Sequence, residues 1–158
     1  MNHLLQRAAQ HLREVYFGNN WSASDVRSVL QDVSVEEAIC KPLGLQSLLA
    51  LTYHQYYFIT ALHAVLKGEP LTTKDALSFD HPAIHTEEEW QCFKSMVFSV
   101  VHETCFLLEN LPDEYLDQPF SDPKYGTWYR NIHGIIEHVH YHLGQMSIIK
   151  RIIKSNPI

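Results

Sequence analysis

Basic charge is scarce in this chain. Twelve Lys and Arg stand against 18 Asp and Glu, leaving a formal net charge of -6 over 158 residues. A nucleic-acid binder needs a basic face to displace counterions from phosphates, and this balance argues against one. Long apolar runs are also missing, with nothing near the ~20 residues that span a bilayer. The opening stretch MNHLLQRAAQHLREVYFG carries charges among its apolar positions and lacks the apolar core of a signal peptide. Cysteine is sparse and odd in number (Cys40, Cys92, Cys105), without a CxxC. Cys92 and Cys105 fall on one expected helix, roughly 20 Å apart and too far to bridge. A reduced, cytoplasmic protein is expected. Three catalytic signatures are absent as well: the G-x-S-x-G elbow of a serine hydrolase, a phosphate-cradling Gly-rich loop, and the E-x-x-H ladder of a di-iron carboxylate bundle.

What is present is helical periodicity. A first helix is expected over about 2–17, with Leu4, Leu5, Ala8, Leu12 and Val15 on one stripe, stopping at Gly18-Asn19-Asn20. Residues 21–41 read as short helical turns, and Ser34 with Glu37 has the spacing of a capping box. A second long helix is expected from about Leu45 to Lys67, ending at Gly68-Glu69-Pro70. Residues 69–85 read as a polar loop. Thr86 with Glu89 is another capping box, opening a third helix to about Asn110 with Trp90, Phe93, Val97, Val100, Val101, Thr104, Leu107 and Leu108 facing in. A proline-bearing loop over 111–125 leads to a fourth helix from Gly126 or Thr127 to Lys154. No strand alternation, repeat or linker interrupts this order. The expected architecture is all-α: one domain over 1–158, a four-helix bundle with one or two short helices between the first two long ones.

Histidine is the abundant residue, with 11 in the chain. At that density about 0.7 pairs spaced i,i+4 are expected by chance, and two occur, so spacing alone decides nothing. His81 and His85 flank Pro82 in a loop, where the spacing has no helical meaning. His138 and His142 lie on the fourth helix. With His138 at 0° on a wheel turning about 100° per residue, His142 falls near 40°, Asn131 near 20°, Gln145 near -20°, Gly134 near -40° and Tyr141 near -60°. His133 and His140 point the other way. On the second helix, His54 sits mid-stripe among Ala50, Ala61, Leu51 and Phe58, with Tyr57 at its edge, while His63 faces out. His3, His11 and His102 read as surface residues.

His54, His138 and His142 can therefore converge inside the bundle. An i,i+4 pair stacks two imidazoles one turn apart, and a third from a facing helix completes a tris-His set with open positions for water or substrate. Three neutral ligands leave the full divalent charge on the ion. Water on such a zinc reaches a pKa of ~7, and a bound thiol is deprotonated. The competing reading makes each a core histidine hydrogen-bonded to a carbonyl or tyrosine; three such imidazoles would need three separate partners in a low-dielectric interior.

The segments Thr52–Tyr57 (TYHQYY) and His138–Gln145 (HVHYHLGQ) resemble the DinB/YfiT-like family, and Tyr125–Gly134 (YGTWYRNIHG) is similar to an uncharacterised subgroup of it. The resemblance spans essentially the whole chain. It implies a four-helix bundle with His54, His138 and His142 as ligands of a divalent metal ion, zinc or nickel foremost. Asn131 and Gln145 then become supporting or substrate-facing residues, with Tyr57 and Tyr141 beside the site. It also implies a homodimer and a small-molecule substrate, while the acidic balance and the lack of a spanning run leave neither nucleic acid nor membrane as an expected partner. Characterised relatives include transferases and isomerases that use a low-molecular-weight thiol, so a thiol-dependent S-transferase-like reaction is the leading expectation, with substrate room near Gly134. A hydrolase using a metal-bound hydroxide is the alternative, disfavoured because the inward helix faces offer no obvious carboxylate. A non-enzymatic dimeric scaffold with a structural or vestigial ion is the third, and the aromatic segment 125–130 suits its interface as readily as a pocket rim.

Overall fold

A computed structural model of the chain describes residues 3–155. The described residues form six α-helices: α1 (Leu4–Phe17), α2 (Val26–Leu30), α3 (Val35–Ile39), α4 (Leu48–Leu66), α5 (Glu87–Glu109) and α6 (Trp128–Ser155). The protein is all-α, and no strand is present among the described residues. The two short helices fall between the first two long ones, as expected.

Local chemistry sets the helix ends. Ser34 and Thr86 each accept from the backbone N–H three residues on, and Glu37 and Glu89 reach back to the capping residue's own N–H. Each such cap contributes about 1 kcal/mol. Helix α4 begins three residues later than the periodicity predicts. Pro42–Gly44 form a 3₁₀ turn in which Leu43 and Gly44 take positive φ (53° and 74°), and Ser47 then caps α4 by accepting from Ala50 N at 3.1 Å. Thr127 opens α6 by accepting from Arg130 N at 3.3 Å.

The four long helices pack cyclically: α1 and α4 each lie against both α5 and α6. The interior is one apolar cluster in which Leu5, Leu12, Leu62, Trp90, Ile132 and Met146 are almost wholly buried. Leu4, expected on the inward stripe, is instead 42% exposed, and its N–H donates to the Asp113 carboxylate. Trp90 Nε1 donates to Val33 O at 2.9 Å, tying α5 to the α2–α3 connection. Among the described residues no helix is long and apolar enough to cross a membrane.

The stretch between α4 and α5 is less polar than expected. It holds a 3₁₀ turn (Asp75–Leu77), and Ser78 and Ile84 are buried. Its Phe79 lies over the histidine cluster.

Candidate metal centre

His54 comes from the middle of α4, and His138 and His142 come from successive turns of α6. These two helices are in contact, and the inward stripes read from the sequence meet there. His54 Nε2 lies 2.9 Å from His138 Nε2, which lies 3.0 Å from His142 Nε2. The ring centroids form a near-equilateral triangle with sides of 4.4, 4.7 and 4.8 Å.

Hydrogen bonding alone accounts poorly for this convergence. A neutral imidazole nitrogen carries either one N–H or one lone pair, yet His138 Nε2 faces two other nitrogens at once. A shared cation resolves the conflict. Donors 2.0–2.1 Å from one ion are ~2.9 Å apart at the ~90° angle of an octahedral ion and ~3.4 Å apart at a tetrahedral one. The two closest separations, 2.9 and 3.0 Å, lie at the lower end of that range, and the triangular arrangement of the rings suits three ligands on one side of an ion. His54, His138 and His142 are the only group of three or more metal-ligating side chains of this kind among the described residues.

The electrostatics agree. Burial, and then the neighbouring His142 and His54, push His138 down to about 4. Burial also lowers His54 and His142. All three imidazoles are thus neutral at pH 7 with lone pairs available, which is the ligating form.

Gln145, one turn beyond His142, orients that ring. His142 Nδ1 donates to Gln145 Oε1 at 2.7 Å, which fixes the proton on Nδ1 and frees Nε2. Gln145 Nε2 in turn donates to the Tyr141 hydroxyl at 3.2 Å, and the Tyr141 ring lies 4.9 Å from His142. His54 is held differently. Phe79 stacks on its ring at 4.1 Å and 10°, and Phe58 meets it edge-on at 5.1 Å. The Ser78 backbone offsets part of the lowering of its pKa by burial, yet no hydrogen bond of normal geometry reaches the buried His54 Nδ1.

One cavity opens onto the cluster and a second neighbours that cavity without touching a histidine. The first, of about 280 Å³, is lined by His138, Gly134, Asn131, Arg130, Phe58 and Ile135. A Cβ at Gly134 would meet nothing within 4 Å, so the glycine leaves open space one turn from His138. The second, of about 370 Å³, shares Phe58, Asn131 and Ile135 and adds Asp75, Tyr125 and Phe120. Asn131 lines both, with its Nδ2 donating to Tyr125 O and Thr127 O.

Tyr57 does not join the cluster. Its hydroxyl donates to Lys74 O and accepts from Lys74 N, both at 3.0 Å, pinning the loop after α4. His81 bonds to Pro82 O, and His85 is exposed. His63 pairs with Glu103, His102 stacks on Phe17, and His140 meets His11 away from the site. Trp128 is buried against Phe120, whereas Tyr125 and Tyr129 remain exposed.

Sequence reasoning missed Phe79 and Asp75. Asp75 does not sit on an inward helix face but reaches the second cavity from the connecting loop, where its charge offsets a little of the lowering of His54 by burial. The only signal for Phe79 was the short apolar island Leu77-Ser78-Phe79 within a polar stretch. No protein-family model, curated protein or solved structure matches the chain.

Proposed function

We propose that the protein is a divalent-metal-dependent enzyme of the DinB/YfiT-like kind, its four long helices forming a four-helix bundle around a tris-His site. The leading reaction is thiol-dependent S-transfer to a small electrophile, with zinc or nickel as the ion. The observation that carries this reading is the convergence of three imidazoles, with His138 Nε2 at 2.9 Å from His54 Nε2 and 3.0 Å from His142 Nε2 and all three ligand atoms within 4.8 Å of one another, beside a cavity that His138 itself lines.

When bound, the ion supplies a positive charge that lowers the pKa of a thiol or water it holds. The chain's own residues do the rest. Gln145 keeps the His142 proton on Nδ1, so that Nε2 presents its lone pair. Phe58 and Phe79 shield the imidazoles from water, and a less screened charge acts more strongly. Gly134 and Asn131 leave and shape the space for the electrophile, and Arg130 adds a positive charge at its edge.

The test is turnover of an activated aryl halide with a low-molecular-weight thiol by the metal-loaded protein. Turnover should require both ion and thiol and disappear in His138→Ala. Full activity in that variant without metal contradicts the proposal.

One observation favours a hydrolytic second reading: Asp75 lines the adjoining cavity and is a carboxylate that could accept a proton from water. Thiol-independent ester hydrolysis that falls about 10²-fold in Asp75→Asn would select it. On the same resemblance we take the protein to be a homodimer, an association that light scattering on the purified chain reads directly, and on its free, unpaired cysteines we take it to be cytoplasmic.

A further inference from the structure

Helix α5 buries a cation that lines neither of the cavities described above. Lys94 is only 6% exposed, and its Nζ donates to Leu30 O at 3.3 Å and lies 5.3 Å over the Trp90 ring. Among the described residues no carboxylate pairs with it. An ammonium has three donors, and one carbonyl with one ring face leaves it under-used. A buried, uncompensated charge is costly, and an apolar side chain of the same length would fill the position more cheaply. Burial accordingly lowers its pKa.

Lys94 lines a cavity of about 420 Å³ between α2 and α5. Arg27 stands on the same cavity. Its Nη2 donates to Phe17 O at 2.6 Å and its guanidinium lies 5.3 Å over the Phe17 ring, so the group is held in place with N–H donors to spare. Gln31, Gln91, Ser95, Leu30 and Phe98 complete the lining. Nearby acids are engaged elsewhere. Asp32 pairs with Lys150 and Lys154, and Glu37 pairs with Lys154. Glu87 accepts from Val35 N and Gln91 Nε2 and acts on Lys94 only at longer range.

We propose that this cavity binds a small oxyanion, a phosphate group held between the Lys94 ammonium and the Arg27 guanidinium, with any organic portion against Leu30 and Phe98. The site shares no residue with those two cavities, so it stands whether or not the metal centre is catalytic. Two cations lining one cavity match an oxyanion's multiple acceptors, and charge-assisted bonds of this kind are the strong ones. The bound group also supplies the missing counter-charge.

The test is calorimetric titration of the metal-stripped chain with inorganic phosphate and with phenyl phosphate, at constant ionic strength with chloride as control. Saturable binding at one site is expected, weakened at least tenfold in Lys94→Met and several-fold in Arg27→Ala. Arg27 is exposed, so its variant keeps the test valid if Lys94→Met fails to fold. Equal affinity for both probes identifies the free ion as ligand, and tighter phenyl phosphate identifies an ester; both support the site. No saturable binding of either probe, or unchanged affinity in both variants, overturns it and leaves Lys94 as a cap on the carbonyl end of α2.

Discussion

Gln145 sets which face of His142 is available to a cation, because an imidazole that donates from Nδ1 must present a lone pair at Nε2. Replacing Gln145 by Leu removes the acceptor while keeping helix propensity and bulk. Zinc affinity should then fall about 10–100-fold, as read by competition with a chelating dye, with helical circular dichroism unchanged. Unaltered affinity would show that the 2.7 Å contact does not orient the ligand. The three histidines, Gln145 and Gly134 were legible in the sequence because all five sit on two regular helices, where angular position follows from spacing. Lys94 was not. It lies on the inward stripe of α5 between Trp90 and Val97, but a lysine is ordinarily read as solvent-facing, and only the contact with α2 reveals its burial.

At the scale of the element, α6 carries both glycines of the motif region, and neither is demanded by packing or by φ. A Cβ at Gly134 or Gly144 would meet nothing within 4 Å. Alanine at Gly144 should therefore stabilise the protein by about 0.5–1 kcal/mol, seen as a higher urea midpoint with unchanged metal stoichiometry. A fall in stability would mean that Gly144 answers to a contact outside the described chain. The same substitution at Gly134 narrows the cavity beside His138, so its gain in stability should come with altered turnover. Helix caps were readable where they are local: Ser34 and Thr86 announce their helices by a three-residue spacing. The start of α4 was less so, since Leu45 continues the apolar pattern while the positive φ of Leu43 and Gly44 breaks the helix before it. The α4–α5 connection was read as a solvated loop because the stacking of Phe79 on His54 is a tertiary contact, invisible to periodicity.

For the whole molecule, the ion would tie α4 to α6, two helices that pack against each other and also against α5 and α1 respectively in the cyclic arrangement. Anything that binds the folded chain and not the unfolded one stabilises by mass action, about 4 kcal/mol at a thousand times its Kd. Metal should thus raise the unfolding temperature, and a chelator should lower it again. The most direct measurement is the metal content of the untagged protein by mass spectrometry, beside a His54→Ala, His138→Ala, His142→Ala triple variant. The account predicts about one divalent ion per chain, lost in a variant that remains helical. A wild-type chain that neither retains nor rebinds an ion would contradict it and return the three imidazoles to core packing.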